Sequence, residues 1–86
     1  MEIQIDPHTL DRAKQRGASL GEIKEVIKSG KLIPARGNRL ARAKVFDFKQ
    51  QRNKHYYEQK RIEVFYLIEN GKIITVTVYA FYGKWE

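Results

Sequence analysis

The stretch Ile62-Glu63-Val64-Phe65-Tyr66-Leu67-Ile68-Glu69-Asn70-Gly71-Lys72-Ile73-Ile74-Thr75-Val76-Thr77-Val78-Tyr79-Ala80-Phe81-Tyr82 decides the fold. Two runs rich in β-branched and aromatic residues, Ile62 to Ile68 and Ile73 to Tyr82, flank Asn70-Gly71. A type I′ turn needs positive φ at both central residues, which Asn and Gly adopt at least cost, so the stretch reads as a β-hairpin. A two-residue turn there sets Tyr66 opposite Thr75 and Val64 opposite Thr77. One face then carries Phe65, Leu67, Ile74, Val76 and Val78, and is expected to receive the helices. The other mixes Ile62, Val64 and Ile68 with Tyr66, Thr75, Thr77 and Tyr79, and is expected to line a cleft.

Upstream of the hairpin, Val45-Phe46-Asp47-Phe48 reads as a short strand and Gln50 to Lys54 as a polar connection. Residues 31–44 keep no period, and Pro34 with Gly37-Asn38 marks a turn, so this segment is an edge strand or a loop. Two helices precede it. Asp6-Pro7 pairs an N-cap residue with proline at the first helical position, and the helix should run from Pro7 to about Arg16, with Gly17 ending it in a left-handed conformation. Ser19-Leu20-Gly21-Glu22 reads as a capping box opening a second helix. Leu20, Ile23, Val26 and Ile27 share its apolar face, and Gly30 closes it. The fold class is α+β: two N-terminal helices packed on a twisted antiparallel sheet of three to four strands, one domain over residues 1–86.

With 86 residues, 42% of them hydrophobic, the chain holds one modest core. The absence of cysteine excludes disulfides and thiolate metal sites and fits a reducing cytoplasm. The N-terminus lacks the basic start and apolar run of a signal peptide, and no stretch approaches the length of a membrane span. A cytoplasmic protein without membrane contact is the expectation.

Charge is unevenly spread. Residues 1–30 carry five Lys/Arg and five Asp/Glu, and residues 61–86 carry three of each, so the whole net charge of +7 lies in residues 31–60. A local excess of this kind attracts a polyanion. Arg36, Arg39, Arg42, Lys44, Arg52 and Lys54 are the candidates for holding a nucleic-acid backbone, and Tyr56, beside His55 and Tyr57, for stacking on unpaired bases. A solvated basic loop, or a surface for an acidic protein, is the alternative.

On the first helix His8, Arg12 and Arg16 recur every four residues and form one stripe, with Leu10 and Ala13 projecting to the opposite side. Arginines bind phosphate bidentately and an imidazole exchanges protons near neutrality, so the stripe suits phosphate chemistry; a solvated helix face is the alternative. Tyr79, Phe81, Tyr82 and Trp85 read mainly as core or partner contact. There is no Gly-rich phosphate loop, no His/Asp/Glu set with metal-ligand spacing and no nucleophile elbow, so an enzyme reading is metal-independent and uses no cofactor.

The segment from His8 through Arg12 and Arg16-Gly17, then Ser19, Glu22 and Ile23, together with Ile74-Thr-Val-Thr-Val-Tyr79, resembles a family of small bacterial and archaeal proteins of unknown function. That family opens with a His…Arg…Arg-Gly helix and is related in architecture to the BrnT and RelE/ParE-like toxins. The resemblance implies helices packed on a twisted antiparallel sheet and, for the toxin branch, metal-independent mRNA cleavage silenced by an antitoxin. His8, Arg12, Arg16 and Gly17 match its N-terminal signature and Tyr79 its terminal strand.

The resulting expectation is an RNA-directed endoribonuclease of the toxin type. His8 or His55 takes the ribose 2′ proton and Arg12 or Arg16 stabilises the charge on phosphorus. The alternatives are a non-catalytic nucleic-acid-binding module and an inactive relative that binds an acidic protein.

Overall fold

The computed structural model describes residues 1–85. Strand β1 (Glu2–Gln4) leads into helices α1 (Pro7–Arg16) and α2 (Leu20–Ser29), followed by β2 (Lys31–Ile33), β3 (Leu40–Arg52), β4 (His55–Glu69) and β5 (Lys72–Gly83). The sheet order is β1-β5-β4-β3-β2, with β1 parallel to β5 and the other neighbours antiparallel. The fold is α+β with two helices, but the sheet has five strands and is mixed, where three or four antiparallel strands were expected. The added strand is β1, three residues and too short for an alternating pattern to show, whereas β2, also three residues, is the edge strand that residues 31–44 offered. No helix among the described residues is long and apolar enough to cross a membrane.

The helix ends follow their local chemistry. The Asp6 carboxylate accepts the His8 N–H at 2.8 Å, and Gly17 ends α1 at φ 82°. In α2 the Glu22 N–H donates to Ser19 Oγ at 3.1 Å while the Ser19 N–H donates to Glu22 Oε1 at 3.0 Å. Leu20, expected on the apolar face, is largely exposed at the first position of the helix.

The hairpin forms at Asn70 and Gly71, with φ 50° and 73°, and Tyr66 faces Thr75 as expected. Beyond that pair the register slips. Val76 is an extra residue in β5, so Phe65 faces Thr77 and Val64 faces Val78, where Thr77 was expected. The face assignment is corrected for Ile62, Val64, Tyr66 and Thr75, which the helices cover together with Val78, and for Phe65 and Leu67, which lie on the open face with Thr77 and Tyr79; Val78, Thr77 and Tyr79 are on the sides expected of them. Hydroxyls on the covered face are no obstacle, because Tyr66 Oη accepts a hydrogen bond from Arg42 Nε at 3.0 Å and Thr75 is bonded twice.

β3 is longer than expected and absorbs both the Val45–Phe48 strand and most of the polar connection, turning into β4 at Asn53 and Lys54, both with positive φ. A bulge between Asp47 and Gln50, with Lys49 at φ 50°, interrupts the β3/β4 ladder.

The core joins Ala13, Ala18, Ile23, Val26 and Ile27 of the helical layer to Ile62, Val64, Tyr66 and Val78 of the sheet. Helix α1 turns Thr9 and Ala13 inward, whereas Leu10, expected there, is only half-buried. Thr75 Oγ1 donates to Thr9 Oγ1 at 3.0 Å and accepts the Asp6 N–H at 2.9 Å, tying the start of α1 to β5. Thr75→Val keeps the shape but strips both partners. It is expected to cost about 1–2 kcal/mol and to lower the midpoint of thermal unfolding by roughly 5–15 °C. An unchanged midpoint would show that this hydroxyl pair contributes nothing to holding α1.

Candidate nucleic-acid interface

The basic middle third resolves into cations that hold the fold and cations that do not. Arg42 donates to Tyr66 Oη and, at 2.8 Å, to the Gly30 carbonyl. Lys44 bonds Glu25 at 2.6 Å and Ser29 Oγ at 2.9 Å, and these contacts from Lys44 and then Ser29 hold the Glu25 carboxyl below its ordinary pKa. Arg52 donates to the Gln15 carbonyl at 2.9 Å, and Lys60 to the Gly17 carbonyl at 2.8 Å and to Glu22 at 2.9 Å.

With the Tyr82 hydroxyl donating to the Arg16 carbonyl at 2.6 Å, side chains of β3, β4 and β5 cap three successive carbonyls at the end of α1. That is the negative pole of a helix, where cations and donors are favoured. Burial raises the Tyr82 phenol pKa above its ordinary value; the neighbouring Arg52, 4.8 Å from its ring centroid, opposes that and Glu22 adds to it.

Arg42, Lys44 and Arg52, read from the sequence as backbone ligands, are therefore engaged in internal contacts. Arg36 and Arg39 sit in the connection between β2 and β3, and Lys54 sits in the turn at the far end of β3. From Arg39 to Lys49 the chain rises roughly 33 Å at about 3.3 Å per residue. The uncommitted charge forms two poles and not one patch.

The expected catalytic residues part in the same way. His8 is exposed on the first turn of α1, and Arg12 donates a hydrogen bond to Gln15 Oε1 at 3.3 Å. His55 begins β4 at the turn with its ring 6.3 Å from that of Tyr57. It lies roughly 35 Å along β4 from Tyr66 at about 3.3 Å per residue. Tyr66 faces Thr75, which in turn bonds the first turn of α1, so the two histidines are held at opposite ends of the sheet.

Arg16 and Tyr79 do meet. The guanidinium donates to the Val78 carbonyl at 2.6 Å and lies 4.7 Å from the Tyr79 ring centroid.

That contact opens onto the face of the sheet without helices. Tyr79 and Phe81 follow one another along β5, 39% and 45% exposed, with ring centroids 6.4 Å apart and planes 22° from parallel. Phe65 meets Tyr79 edge-on at 5.8 Å. Arg61, opposite Phe81, pairs with Glu63, opposite Tyr79, at 3.1 Å.

Comparison with protein-family models, curated proteins and solved structures gives no match for this chain.

The geometry offers two neighbouring rings for stacking, a guanidinium over the Tyr79 ring and a carboxylate-paired arginine beside them on β4. Sequence reasoning named Tyr79 and Arg16 but missed Phe65, Phe81 and Arg61 as surface groups. The alternation Thr77, Tyr79, Phe81 was visible; the shift at Val76 that turns those positions outward was not. Tyr56, 56% exposed near the β3/β4 turn, stands apart from this platform. Among the described residues no three His, Asp or Glu side chains gather in a metal-ligating arrangement.

Proposed function

We propose that the protein binds single-stranded RNA across the open face of its sheet. The observation that carries this reading is the exposed, nearly parallel pair Tyr79 and Phe81, braced by Phe65 and with the Arg16 guanidinium over the Tyr79 ring. Unpaired bases stack on aromatic faces and on guanidinium planes, each stacked base contributing about 1–3 kcal/mol. Arg36 and Arg39 at one pole and Lys54 at the other would meet phosphates of a strand lying over the face.

A metal-independent endoribonuclease of the toxin type, with an antitoxin as its protein partner, is the second reading. The Arg16–Tyr79 contact favours it, since a strand stacked on the platform would have a guanidinium beside it for the charge developing on phosphorus. His8 stands about 12 Å up the helix axis from Arg16, eight residues at 1.5 Å each, beyond the hydrogen-bond reach that a general base needs for the 2′ proton at the same phosphate. His55 has no place in that arrangement.

The test is fluorescence anisotropy with a labelled single-stranded RNA of about ten nucleotides, within the usual site range. Tyr79→Leu and Phe81→Leu should each weaken binding about tenfold, the loss of one stacked base. Arg36→Ala and Arg39→Ala should flatten the dependence on salt. Retention of full affinity in both leucine variants would reject the platform. In EDTA, cleavage that persists in His55→Ala and stops in Arg16→Ala would move the reading from binding to catalysis.

A further inference from the structure

The aromatic platform has a charged border. The register sets Glu63 of β4 directly opposite Tyr79 and Arg61 directly opposite Phe81, so each ring has one charged side chain beside it on the open face. Side chains paired in this way start from Cβ atoms about 5 Å apart. Arg61 Nε donates to Glu63 Oε2 at 3.1 Å, which fixes the two side chains against each other. Among the described residues neither makes another hydrogen bond, so both terminal nitrogens of Arg61 and the second oxygen of Glu63 keep unused capacity.

On the β3 side Glu63 faces Ala43 and Arg61 faces Val45, and neither offers a competing polar group. The Arg61 side chain is 30% exposed and that of Glu63 19%. Partial withdrawal from water strengthens a hydrogen bond made there and raises the cost of leaving one unmade.

On the reading that this face binds single-stranded RNA, we infer that Arg61 and Glu63 select guanine for a base stacked on Tyr79 and Phe81. A carboxylate beside the rings repels phosphate and can only accept hydrogen bonds, so it favours the N–H groups on the edge of a base. Guanine carries two adjacent acceptors, O6 and N7, which fit the fork of an arginine. Next to O6 it carries two adjacent donors, N1–H and the N2 amino group, which fit a carboxylate.

The other bases match the pair less fully. Adenine gives the carboxylate its N6 amino group but gives the fork only single ring nitrogens. Uracil has one N–H between two carbonyls. Cytosine offers the fork N3 and O2 but offers the carboxylate one amino group only, and its single ring covers less of the platform than a purine does.

The probe is a set of labelled RNAs of about ten nucleotides, all uridine except for one central guanosine, adenosine, cytidine or inosine, measured against the intact protein by fluorescence anisotropy. The guanosine strand should bind about tenfold more tightly than the adenosine and cytidine strands. Inosine, which lacks the N2 amino group, should fall between. Glu63→Gln should erase the preference. Arg61→Lys keeps the charge and removes the fork, so it should erase the preference while the dependence on salt stays that of the parent.

Equal affinity for the guanosine, adenosine and cytidine strands, a preference for adenosine or cytidine, or a guanosine preference that survives in both variants would overturn the inference. Tyr79→Leu separates its failure from that of the platform. If that variant weakens every strand alike and the parent prefers none, the platform stands and the selectivity is rejected. If the parent binds no strand, both are rejected.

Discussion

Gly30→Ala is expected to destabilise the domain by about 3 kcal/mol, the upper end of what overpacking costs. At 4–8 °C per kcal/mol this is a fall of roughly 12–24 °C in the unfolding midpoint. The backbone at Gly30 is ordinary, φ −70° and ψ 160°, so glycine is not required for a left-handed turn, as it is at Gly17. Space requires it. A Cβ there would press on the Val26 carbonyl oxygen and stand 2.9 Å from that of Ala43.

Both obstacles are main chain, one at the end of α2 and the other in the paired part of β3, so no side chain can swing aside. The Gly30 carbonyl is in turn held by Arg42. Thermal or urea unfolding measures the effect. A loss below about 1 kcal/mol would mean that α2 can lift from β3 without disturbing the core beneath it.

Lys60→Met is expected to cost about 2–3 kcal/mol. Losing one partner of a buried pair costs up to about 3–5 kcal/mol, and the lower figure reflects the partial exposure of Glu22. Methionine keeps the stem within the sheet but leaves the Gly17 carbonyl without its donor and the Glu22 carboxylate without its counter-charge. Adding Glu22→Gln should recover part of the loss. The neutral amide oxygen still accepts the Ser19 N–H of the capping box, and no unpaired charge remains. If the double variant is as unstable as the sum of the singles, the ion pair contributes nothing and the carbonyl cap carries the whole effect.

What the sequence reveals and conceals divides by distance along the chain. Asp6-Pro7, Gly17, Ser19 with Glu22, and Asn70-Gly71 each state their conformation within four residues, and each forms as read. The extra residue at Val76 has no such signature, since neither Gly nor Asn marks it, yet it parts Thr77 and Tyr79 from the face that Tyr66 and Thr75 share and puts Val78 there instead. The turn at Asn53-Lys54 was hidden for a related reason, because lysine rarely adopts the positive φ it has there.

The cations were the hardest to place. Arg52 and Lys60 reach carbonyls 37 and 43 positions away, and no local pattern distinguishes a basic residue that caps a helix from one that awaits a phosphate. Tyr79 and Arg16 were legible singly; that they touch depends on how α1 lies against β5.

The parallel pairing of β1 with β5 also sets a schedule for assembly during protein synthesis. Glu2 aligns with Lys72, a residue translated about 70 codons later, and the Arg16 carbonyl at the end of α1 stays uncapped until Tyr82 is made. At about 5–20 residues per second, roughly 3–10 s separate the completion of α2 from that moment. For most of that interval, until Ile62, Val64 and Tyr66 of β4 are made, Ile23, Val26 and Ile27 have no sheet to pack on. Assembly of this domain is consequently completed late, and a ribosome stalled before β5 carries a nascent chain that lacks Val78 from its core and the strand on which β1 pairs.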